Sequence, residues 1–390
     1  MRKVVVFTGT RADWGLLSPV AKALQEGGAE VIVAATNAHL SHRHGYTLQE
    51  IIDDGFRPLT IPIDTDDDSA LGRSRAMAQC LEGAARLIAE MKPDLALILG
   101  DRYEMLAAAT ACLMATLPIV HIAGGAISEG AVDDAIRHSI SKMAALHLTE
   151  TEPYRRRLIA MGEEPERVIN TGAIGVENFL KQVHGEASSA TDDELRDYVG
   201  MDVDKDTLLV TYHPVTLDTE APVVRVKALA EALECFPDKK ILITAPNNDV
   251  GGSEIFDFWE KYAAERPGRT ALVSSLGHRR YLAVLKRVAA VVGNSSSGIV
   301  EVPSAKIPTV DIGRRQCGRL AADSVIHCGD SADEIARAIA FALSDEGQKL
   351  AQTSPNPYQG QGSTVQAMAR AILDTPLEAL RTKKFHDINP

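Results

Sequence analysis

The chain has 390 residues, of which 45% are hydrophobic and 24% are charged. This length predicts two domains, and this balance is typical of a globular protein. Forty-one basic residues stand against 53 acidic ones, which gives a formal charge of −12. That charge argues against a nucleic-acid partner, because such a partner needs a broad basic face. An anionic ligand must instead be held by local positive charge.

The sequence also argues against a membrane protein, a secreted protein and a zinc-binding protein. No apolar run approaches the length of a membrane span, and the residues after Met1 do not form a signal peptide. We therefore expect a cytoplasmic protein with no membrane partner. The five cysteines are widely spaced and form no CxxC pair, so neither a disulfide framework nor a metal site is indicated.

The first part of the chain alternates short β-branched runs with Ala- and Leu-rich segments of helical spacing. This alternation predicts a parallel sheet covered by crossover helices. The predicted strands are Lys3–Thr8, Val31–Ala35, Leu95–Leu99, Ile119–Ile122, Leu146–Thr149 and Val168–Thr171. The predicted helices are Leu16–Gln25, Met77–Met91, Arg102–Ala115, Asp133–Lys142 and Glu152–Met161.

A second set of the same kind follows a looser, polar stretch that begins after Gly175 and ends near Glu194. Its predicted strands are Leu208–Tyr212, Ile241–Thr244, Ala271–Val273, Val288–Val292 and Thr309–Ile312, and its predicted helices are Pro222–Cys235, Glu254–Ala264, Arg279–Arg287 and Asp333–Leu343. We therefore predict an α/β fold of two Rossmann-like, doubly wound domains, residues 1–178 and 200–365. Residues 366–390 are expected to pack back on the first domain. Such domains bind ligands at the carboxyl ends of their strands, so we expect a cleft between the two sheets.

Residues 293–301, which read GNSSSGIVE, follow an apolar run at a junction between a strand and a helix. Free N–H groups and the helix dipole bind anions at a helix start, and Ser295, Ser296 and Ser297 add hydroxyl donors beside the small Gly298. Glu301 comes about one turn later, within reach of a ribose. An ordinary serine N-cap is the alternative. Three serines and a following glutamate favour a nucleotide diphosphate site.

Further polar residues follow other predicted strands of the first domain. Arg11 lies in a predicted loop, TGTRADWG, where it can either reach a phosphate or remain a surface arginine. Asp101, in GDRYE, is either a helix N-cap or a general base. Asp133 and Asp134 begin a predicted helix, where carboxylates cap well, and Arg137 is a candidate structural partner.

The second domain offers a histidine and an arginine-rich loop. Pro214 biases His213 toward an extended backbone, so we expect its imidazole at the tip of a strand and not in the core. The loop at residues 313–319 carries three arginines in a net acidic chain. Close to the serine-rich junction, these guanidinium groups suit a diphosphate, although a solvated basic face is the alternative.

These motifs together resemble the hydrolysing UDP-N-acetylglucosamine 2-epimerase family of the bacterial sialic-acid and legionaminic-acid pathways. The matching motifs are TGTRADWG, GDRYE, HIxGG, DDAIRHSISKM, YHPVTL, PNND, GNSSSGIVEVPS, RRQCGR and SPNPY. The HVEAG and PEExNR stretches of non-hydrolysing relatives are not present, which argues for net release of UDP. The resemblance implies a GT-B-like fold, a UDP-sugar substrate, a UDP product and a homodimer or homotetramer.

The resemblance also implies the roles of individual residues. Residues expected to bind the substrate or its nucleotide are Arg11, Arg102, Asn247, Ser295, Ser296, Ser297, Gly298, Glu301 and Arg315. Candidate acid and base residues are Asp101, Asp133, His213, Asp134 and Glu129. Loss of the C2 proton as UDP leaves C1 needs a positioned base and compensation of the departing charge. Water then adds to the resulting glycal and gives the 2-epimeric free sugar, with no cofactor.

One departure from the family pattern affects the chemistry. Members usually carry an acidic residue at one or both of the positions that Ala123 and Ala126 occupy here. Either another group such as Glu129, His121 or the second of the two aspartates takes over, or the chain is a weakened enzyme. Two alternatives therefore stay open, which are a GT-B-type glycosyltransferase and a nucleotide-sugar binding protein without turnover. The sugar itself, N-acetylglucosamine or a 2,4-diacetamido sugar, also stays open.

Overall fold

The computed structural model describes residues 1–41, 46–67, 69–128, 132–184, 190–215, 221–246 and 251–387. The chain divides into two compact units. The first unit consists of Met1–Ala126, Val132–Glu177 and Tyr358–Pro390, and the second consists of Ile127–Ala131 and Asn178–Pro357. Residues 358–365, which we predicted to belong to the second domain, are therefore part of the first unit. The polar stretch predicted as a passage between domains contains a helix of the second unit at residues 192–199.

The first unit is built on one parallel sheet. Its strands are β1 (Lys3–Thr8), β2 (Glu30–Thr36), β3 (Leu59–Ile61), β4 (Leu95–Leu99), β5 (Ile119–Ile122), β6 (Leu146–Thr149) and β7 (Val168–Asn170). They lie in the order β3-β2-β1-β4-β5-β6-β7. The order reverses between β1 and β4, and sheets of this type bind ligands beyond the carboxyl ends of the strands at that reversal.

Helices cover both faces of this sheet. They are α1 (Arg11–Glu26), α2 (Leu48–Asp53), α3 (Ala70–Met91), α4 (Tyr103–Met114), α5 (Val132–Met143), α6 (Glu152–Ala160), α15 (Thr364–Asp374) and α16 (Leu377–Arg381), while α7 (Ile174–His184) crosses into the second unit. Successive side chains of a strand point to opposite faces. Accordingly, Val4 and Val6 pack on one face with Trp14, and Val5 and Phe7 pack on the other. This explains why the strand is apolar without alternation.

The C-terminal segment completes the first unit. Helix α15 packs against α1, and its side chains Met368 and Ile372 are fully buried in the same cluster as Val4. At the start of the chain, the Arg2 guanidinium donates to the backbone carbonyls of Ile372 and Thr375. The first and last parts of the sequence thus share one core.

The second unit repeats the architecture. Its strands are β8 (Thr207–Thr211), β9 (Lys240–Thr244), β10 (Thr270–Val273), β11 (Ala290–Gly293), β12 (Thr309–Ile312) and β13 (Val325–Cys328), in the parallel order β10-β9-β8-β11-β12-β13. Its helices are α8 (Asp192–Val199), α9 (Pro222–Glu234), α10 (Gly252–Ala264), α11 (Gly277–Leu285), α12 (Ser296–Val300), α13 (Ala332–Leu343) and α14 (Asp345–Thr353). The order reverses between β8 and β11.

The prediction of two doubly wound α/β sets is confirmed, with local corrections. The edge strands β3 and β13 were not predicted, and α1 begins at Arg11 where we predicted a loop. Thr10 is the N-cap of α1, and its hydroxyl accepts a hydrogen bond from the N–H of Asp13 at 3.2 Å. Within the described ranges, no helix has both the length and the apolar character needed to cross a membrane.

Candidate active site

Arg11 and Asp13 lie in the first turn of α1, just beyond the carboxyl end of β1. The guanidinium of Arg11 is 3.0 Å from Glu50, and its side chain is 69% exposed. An exposed pair of this kind contributes little to stability, so Arg11 can exchange it for an anionic ligand. Sequence reasoning missed Asp13, whose carboxylate accepts a hydrogen bond from the Gly9 N–H at 3.3 Å. Burial raises the pKa of Asp13 despite the nearby Arg102.

Asp101 follows β4, and the structure rules out the capping role that we considered for it. Helix α4 begins at Tyr103, and Arg102 occupies the N-cap position. The Asp101 carboxylate instead accepts a hydrogen bond from the guanidinium of Arg137, which is almost fully buried. The carboxylate is thereby held in place at the end of the strand, with a quarter of its side chain exposed.

Arg137 also organises the segment after β5. One of its terminal nitrogens donates to the carbonyl of Ala126 at 3.1 Å and to the carboxylate of Asp134 at 3.4 Å. Asp134 is additionally 3.6 Å from the His138 ring nitrogen. The contacts of Asp134 therefore fit the structural pairing that we considered for one of the two aspartates.

Asp133 is the neighbouring carboxylate in the first turn of α5. The pKa of Asp133 is raised, mainly by partial desolvation and in addition by repulsion from the Asp101 carboxylate. The residue as a whole is nevertheless exposed. A carboxyl group with a raised pKa is better suited to accept and return a proton near neutral pH. Among the predicted acid and base residues of the first unit, Asp133 fits that task best. Glu129, another predicted acid or base residue, lies outside the described residues.

His121 is not available to replace a missing acid. The residue is completely buried, and both of its ring nitrogens have partners. Nε2 donates to the carbonyl of Gly100 at 2.8 Å, while Nδ1 lies 3.1 Å from the Ser141 hydroxyl. Burial lowers the pKa of His121 to about 3, so the ring is neutral. Its contact with Gly100 supports the backbone next to Asp101.

The two alanines that depart from the family pattern lie directly after β5. Ala123 has a left-handed backbone with φ of +65°, and its N–H donates to the carbonyl of Leu148 at 3.0 Å. This conformation costs about 1 kcal/mol in a residue other than glycine. Ala126 is buried, and its carbonyl is the one that Arg137 holds. The loop is therefore fixed, although neither position carries a carboxylate.

In the second unit, Asn294 joins the ends of the two central strands. Its side-chain oxygen accepts from the His213 N–H at 2.7 Å, and its side-chain nitrogen donates to the His213 carbonyl at 2.8 Å. Gly293 precedes it with φ of +147°, and a Cβ there would be 1.8 Å from the Thr211 carbonyl oxygen. Only glycine permits this approach. The pair of bonds holds His213 just beyond β8, and sequence reasoning assigned no such role to Asn294.

The serine-rich junction begins where predicted, but its helix is short. Ser295 is the N-cap of α12 and makes no side-chain capping bond, and Ser296 is exposed, so both hydroxyls can serve a ligand. Ser297 lies 2.5 Å from the hydroxyl of Tyr281. Gly298 packs on Thr309, and a Cβ at position 298 would be 2.9 Å from the Thr309 methyl group. Because α12 has only five residues, hydroxyl and local N–H donors matter more here than the helix dipole.

Glu301 and Arg315 lie next to this junction. Glu301 ends α12, and burial raises its pKa while the Ser297 hydroxyl acts in the opposite direction. The Arg315 guanidinium donates to the Asn294 carbonyl at 3.1 Å, and the Gln316 amide donates to the same oxygen at 2.9 Å. The structure thus brings the arginine-rich loop to the serine junction, as the sequence suggested. Asn247 lies outside the described residues.

The family model of UDP-N-acetylglucosamine 2-epimerase matches residues 22–373. This chain belongs to the UDP-N-acetylglucosamine 2-epimerase family. It is 36% identical over 331 residues to the hydrolysing GDP/UDP-N,N′-diacetylbacillosamine 2-epimerase of Campylobacter jejuni, which covers 83% of this chain and 84% of that protein.

A second relative from the same epimerase family covers nearly the whole chain. The hydrolysing UDP-N,N′-diacetylbacillosamine 2-epimerase of Legionella pneumophila is 32% identical over 381 residues, which are 97% of each chain. The predicted membership of the hydrolysing 2-epimerase family is therefore confirmed.

The fold of a solved 2-epimerase is also similar. The UDP-N-acetylglucosamine 2-epimerase of Methanocaldococcus jannaschii, solved in complex with UDP-GlcNAc and UDP, superposes with a TM-score of 0.76 at 17% identity, over 96% of this chain and 100% of that chain. At this identity the similarity concerns the fold, and it confirms the predicted GT-B-like pair of Rossmann-like units.

Across the described ranges, no three histidine, cysteine or acidic residues are grouped as metal ligands.

Proposed function

We propose that this epimerase hydrolyses a UDP-sugar and inverts C2, releasing UDP and the 2-epimeric free sugar. The observation that carries the proposal is the donor cluster beyond β11, where Ser295 and Ser296 follow Asn294 and the Arg315 guanidinium donates to the Asn294 carbonyl. These are hydroxyl and guanidinium donors that suit a diphosphate. Glu301, four residues after Ser297, is the candidate ribose contact. We assign UDP binding to this cluster of the second unit.

We assign proton transfer on the sugar to the predicted acid and base residues. A base takes the C2 proton as the bond between C1 and the UDP oxygen breaks, which leaves a C1–C2 double bond. Asp133 suits this step because its pKa is raised. Water then supplies a hydroxyl to C1 while C2 regains a proton on the opposite face. Asp101 and His213 are the further candidates for delivering protons, and Arg11 and Arg102 for compensating negative charge.

The relatives favour one class of sugar. Both hydrolysing relatives described above are named for N,N′-diacetylbacillosamine, which carries two acetamido groups. We therefore propose a UDP-2,4-diacetamido sugar as the preferred substrate and UDP-N-acetylglucosamine as the weaker one. Comparing kcat/KM for the two nucleotide sugars tests this order, and a higher value for UDP-N-acetylglucosamine would contradict it.

Proton NMR in D2O tests the reaction itself. We expect free UDP and a 2-epimeric sugar that carries deuterium at C2, since the base exchanges its proton with solvent. Retention of the C2 hydrogen together with transfer to an acceptor would show a glycosyltransferase. Binding of UDP without product would show a protein without turnover. Asp133→Asn is the matched variant, which we expect to lose deuterium incorporation while it still binds UDP.

The predicted homodimer or homotetramer is a separate proposal. It depends on the family resemblance alone. Light scattering coupled to size exclusion at micromolar concentration tests it, and a monomer mass would show that the prediction is wrong.

A further inference from the structure

Glu104 is a buried carboxylate that the reaction above does not use. It lies in the first turn of α4, and its side chain is 0% exposed. Its Oε1 accepts a hydrogen bond from Arg102 Nε at 2.6 Å and another from Asn37 Nδ2 at 2.7 Å. Its Oε2 is buried without a hydrogen-bond partner among the described residues. Burial of a carboxylate is costly unless a positive charge compensates it, and Arg102 supplies that charge here.

Three strand ends converge on this carboxylate. Gly9 follows β1, and a Cβ there would be 2.5 Å from Glu104 Oε1, so the oxygen lies against the backbone. Asn37 follows β2 with a left-handed φ of +51°, a conformation that asparagine tolerates better than most residues. Arg102 follows β4. Since β2, β1 and β4 are consecutive in the sheet, Glu104 lies at the ligand-binding edge of the first unit.

The contact with Glu104 restricts the orientation of Arg102. A guanidinium is planar and rigid, so a hydrogen bond at its Nε restricts where both terminal nitrogens point. Among the described residues, those two nitrogens have no hydrogen-bond partner, and 44% of the side chain is exposed. The positive charge lies close enough to Asp13 and Asp133 to lower the pKa of each carboxyl against the raising effect of burial. The outward edge of Arg102 therefore lies at the same edge of the sheet as Asp13 and Asp133.

We propose that Glu104 is a positioning residue, which holds Arg102 so that both of its terminal nitrogens are presented to an anionic ligand group at this edge of the sheet. Two parallel N–H donors on a fixed plane suit a phosphate oxygen pair better than a mobile cation does. The identity of the ligand rests on the proposed function. The restricted orientation of Arg102 does not.

A double-mutant cycle on the full-length enzyme tests the proposal. Glu104→Gln keeps an oxygen that accepts from Arg102, whereas Glu104→Ala removes it. We expect kcat/KM to fall at least tenfold in Glu104→Ala and less in Glu104→Gln. In the Arg102→Ala background, Glu104→Ala should have no further effect, because it acts through Arg102. Losses that multiply in the double variant would overturn the proposal.

Two controls separate positioning from folding. Glu82→Ala removes an exposed carboxylate that pairs with Arg86 one turn away, and we expect kcat/KM to stay unchanged. Circular dichroism tests whether each variant is folded. Because Glu104→Gln conserves the side-chain volume, it provides a folded variant even where the alanine variant does not fold.

A chemical readout is independent of turnover. Phenylglyoxal modifies accessible guanidinium groups, and mass mapping of the product reports each arginine. Glu104→Gln keeps the acceptor oxygen but loses the negative charge of the ion pair, so we expect modification of Arg102 to be several-fold faster in it, with Arg86 unchanged as the internal reference. An unchanged rate at Arg102 would overturn the proposal. If the wild-type enzyme turns over no UDP-sugar but the Arg102 rate rises and UDP protects it, the proposed reaction is wrong while the positioning role stands.

Discussion

Replacing Asn294 by alanine should loosen the central strands of the second unit and displace His213. The variant removes two hydrogen bonds, of 2.7 Å and 2.8 Å, from a side chain that is fully buried. Each bond contributes about 1 kcal/mol, and a buried polar group that loses its partner costs about 1–3 kcal/mol more. His213 is only partly buried, so water recovers part of this loss. We expect the local free energy of opening to fall by about 2–4 kcal/mol.

Hydrogen exchange measured by mass spectrometry reports this change locally. Protection of the β8 and β11 amides should fall by about 30- to 1,000-fold, while the first unit keeps its protection. Turnover should also fall, because His213 is no longer held. The contacts of Arg315 and Gln316 should remain, because they are made to the backbone carbonyl of residue 294. Gln352→Ala is the control, since it removes one exposed amide contact to the Lys306 carbonyl. A loss below about 0.5 kcal/mol in Asn294→Ala, with normal turnover, would refute the reasoning.

Three further results are expected. Ala123→Glu should raise the rate of C2 deuterium incorporation if a missing carboxylate limits this enzyme, and an unchanged rate in folded protein would show that it does not. Gly9→Ala should destabilise the first unit by about 1–3 kcal/mol, because its Cβ would be 2.5 Å from Glu104, whereas Gly15→Ala, with no atom within 4 Å, should be neutral or stabilising in urea titrations. A base must be deprotonated to work, and the pKa of Asp133 is raised. As the pH falls, kcat should therefore begin to decline at a higher pH than it would with an aspartate of ordinary pKa. Asp133→Asn should abolish this acidic limb of the pH profile.

Buried strands could be predicted from the sequence because their signal is local. Strands β1, β4, β5 and β6 have the predicted bounds, since each is short, almost entirely buried and covered on both faces. The edge strands β3 and β13 were missed. In β3 only Ile61 is buried, and β13 contains the half-exposed His327, so neither has a continuous apolar run. These strands form because they pair with a neighbouring strand, and the sequence of one segment does not reveal its pairing partner.

The motifs of the site could be predicted, but the partners of its side chains could not. The serine junction and the arginine-rich loop meet as expected because both follow adjacent strands. The partner of Asp101 is Arg137, 36 positions later, and this tertiary contact replaces the local capping role that the sequence suggested. Asn294 bonds a residue 81 positions earlier, and Glu104 bonds Asn37 across 67 positions. Such contacts depend on the order of strands in the sheet, which periodicity does not determine.

The return of the C-terminal segment to the first unit has a consequence for biosynthesis. Met368 and Ile372 belong to the same buried cluster as Val4, so a nascent chain on the ribosome lacks part of that core until its last helices emerge. The second unit, whose strands and covering helices all lie within residues 178–357, is synthesised completely before then. Domains fold largely as units during synthesis. We therefore expect the second unit to be able to fold before the first, whose buried cluster is complete only after Ile372 has emerged.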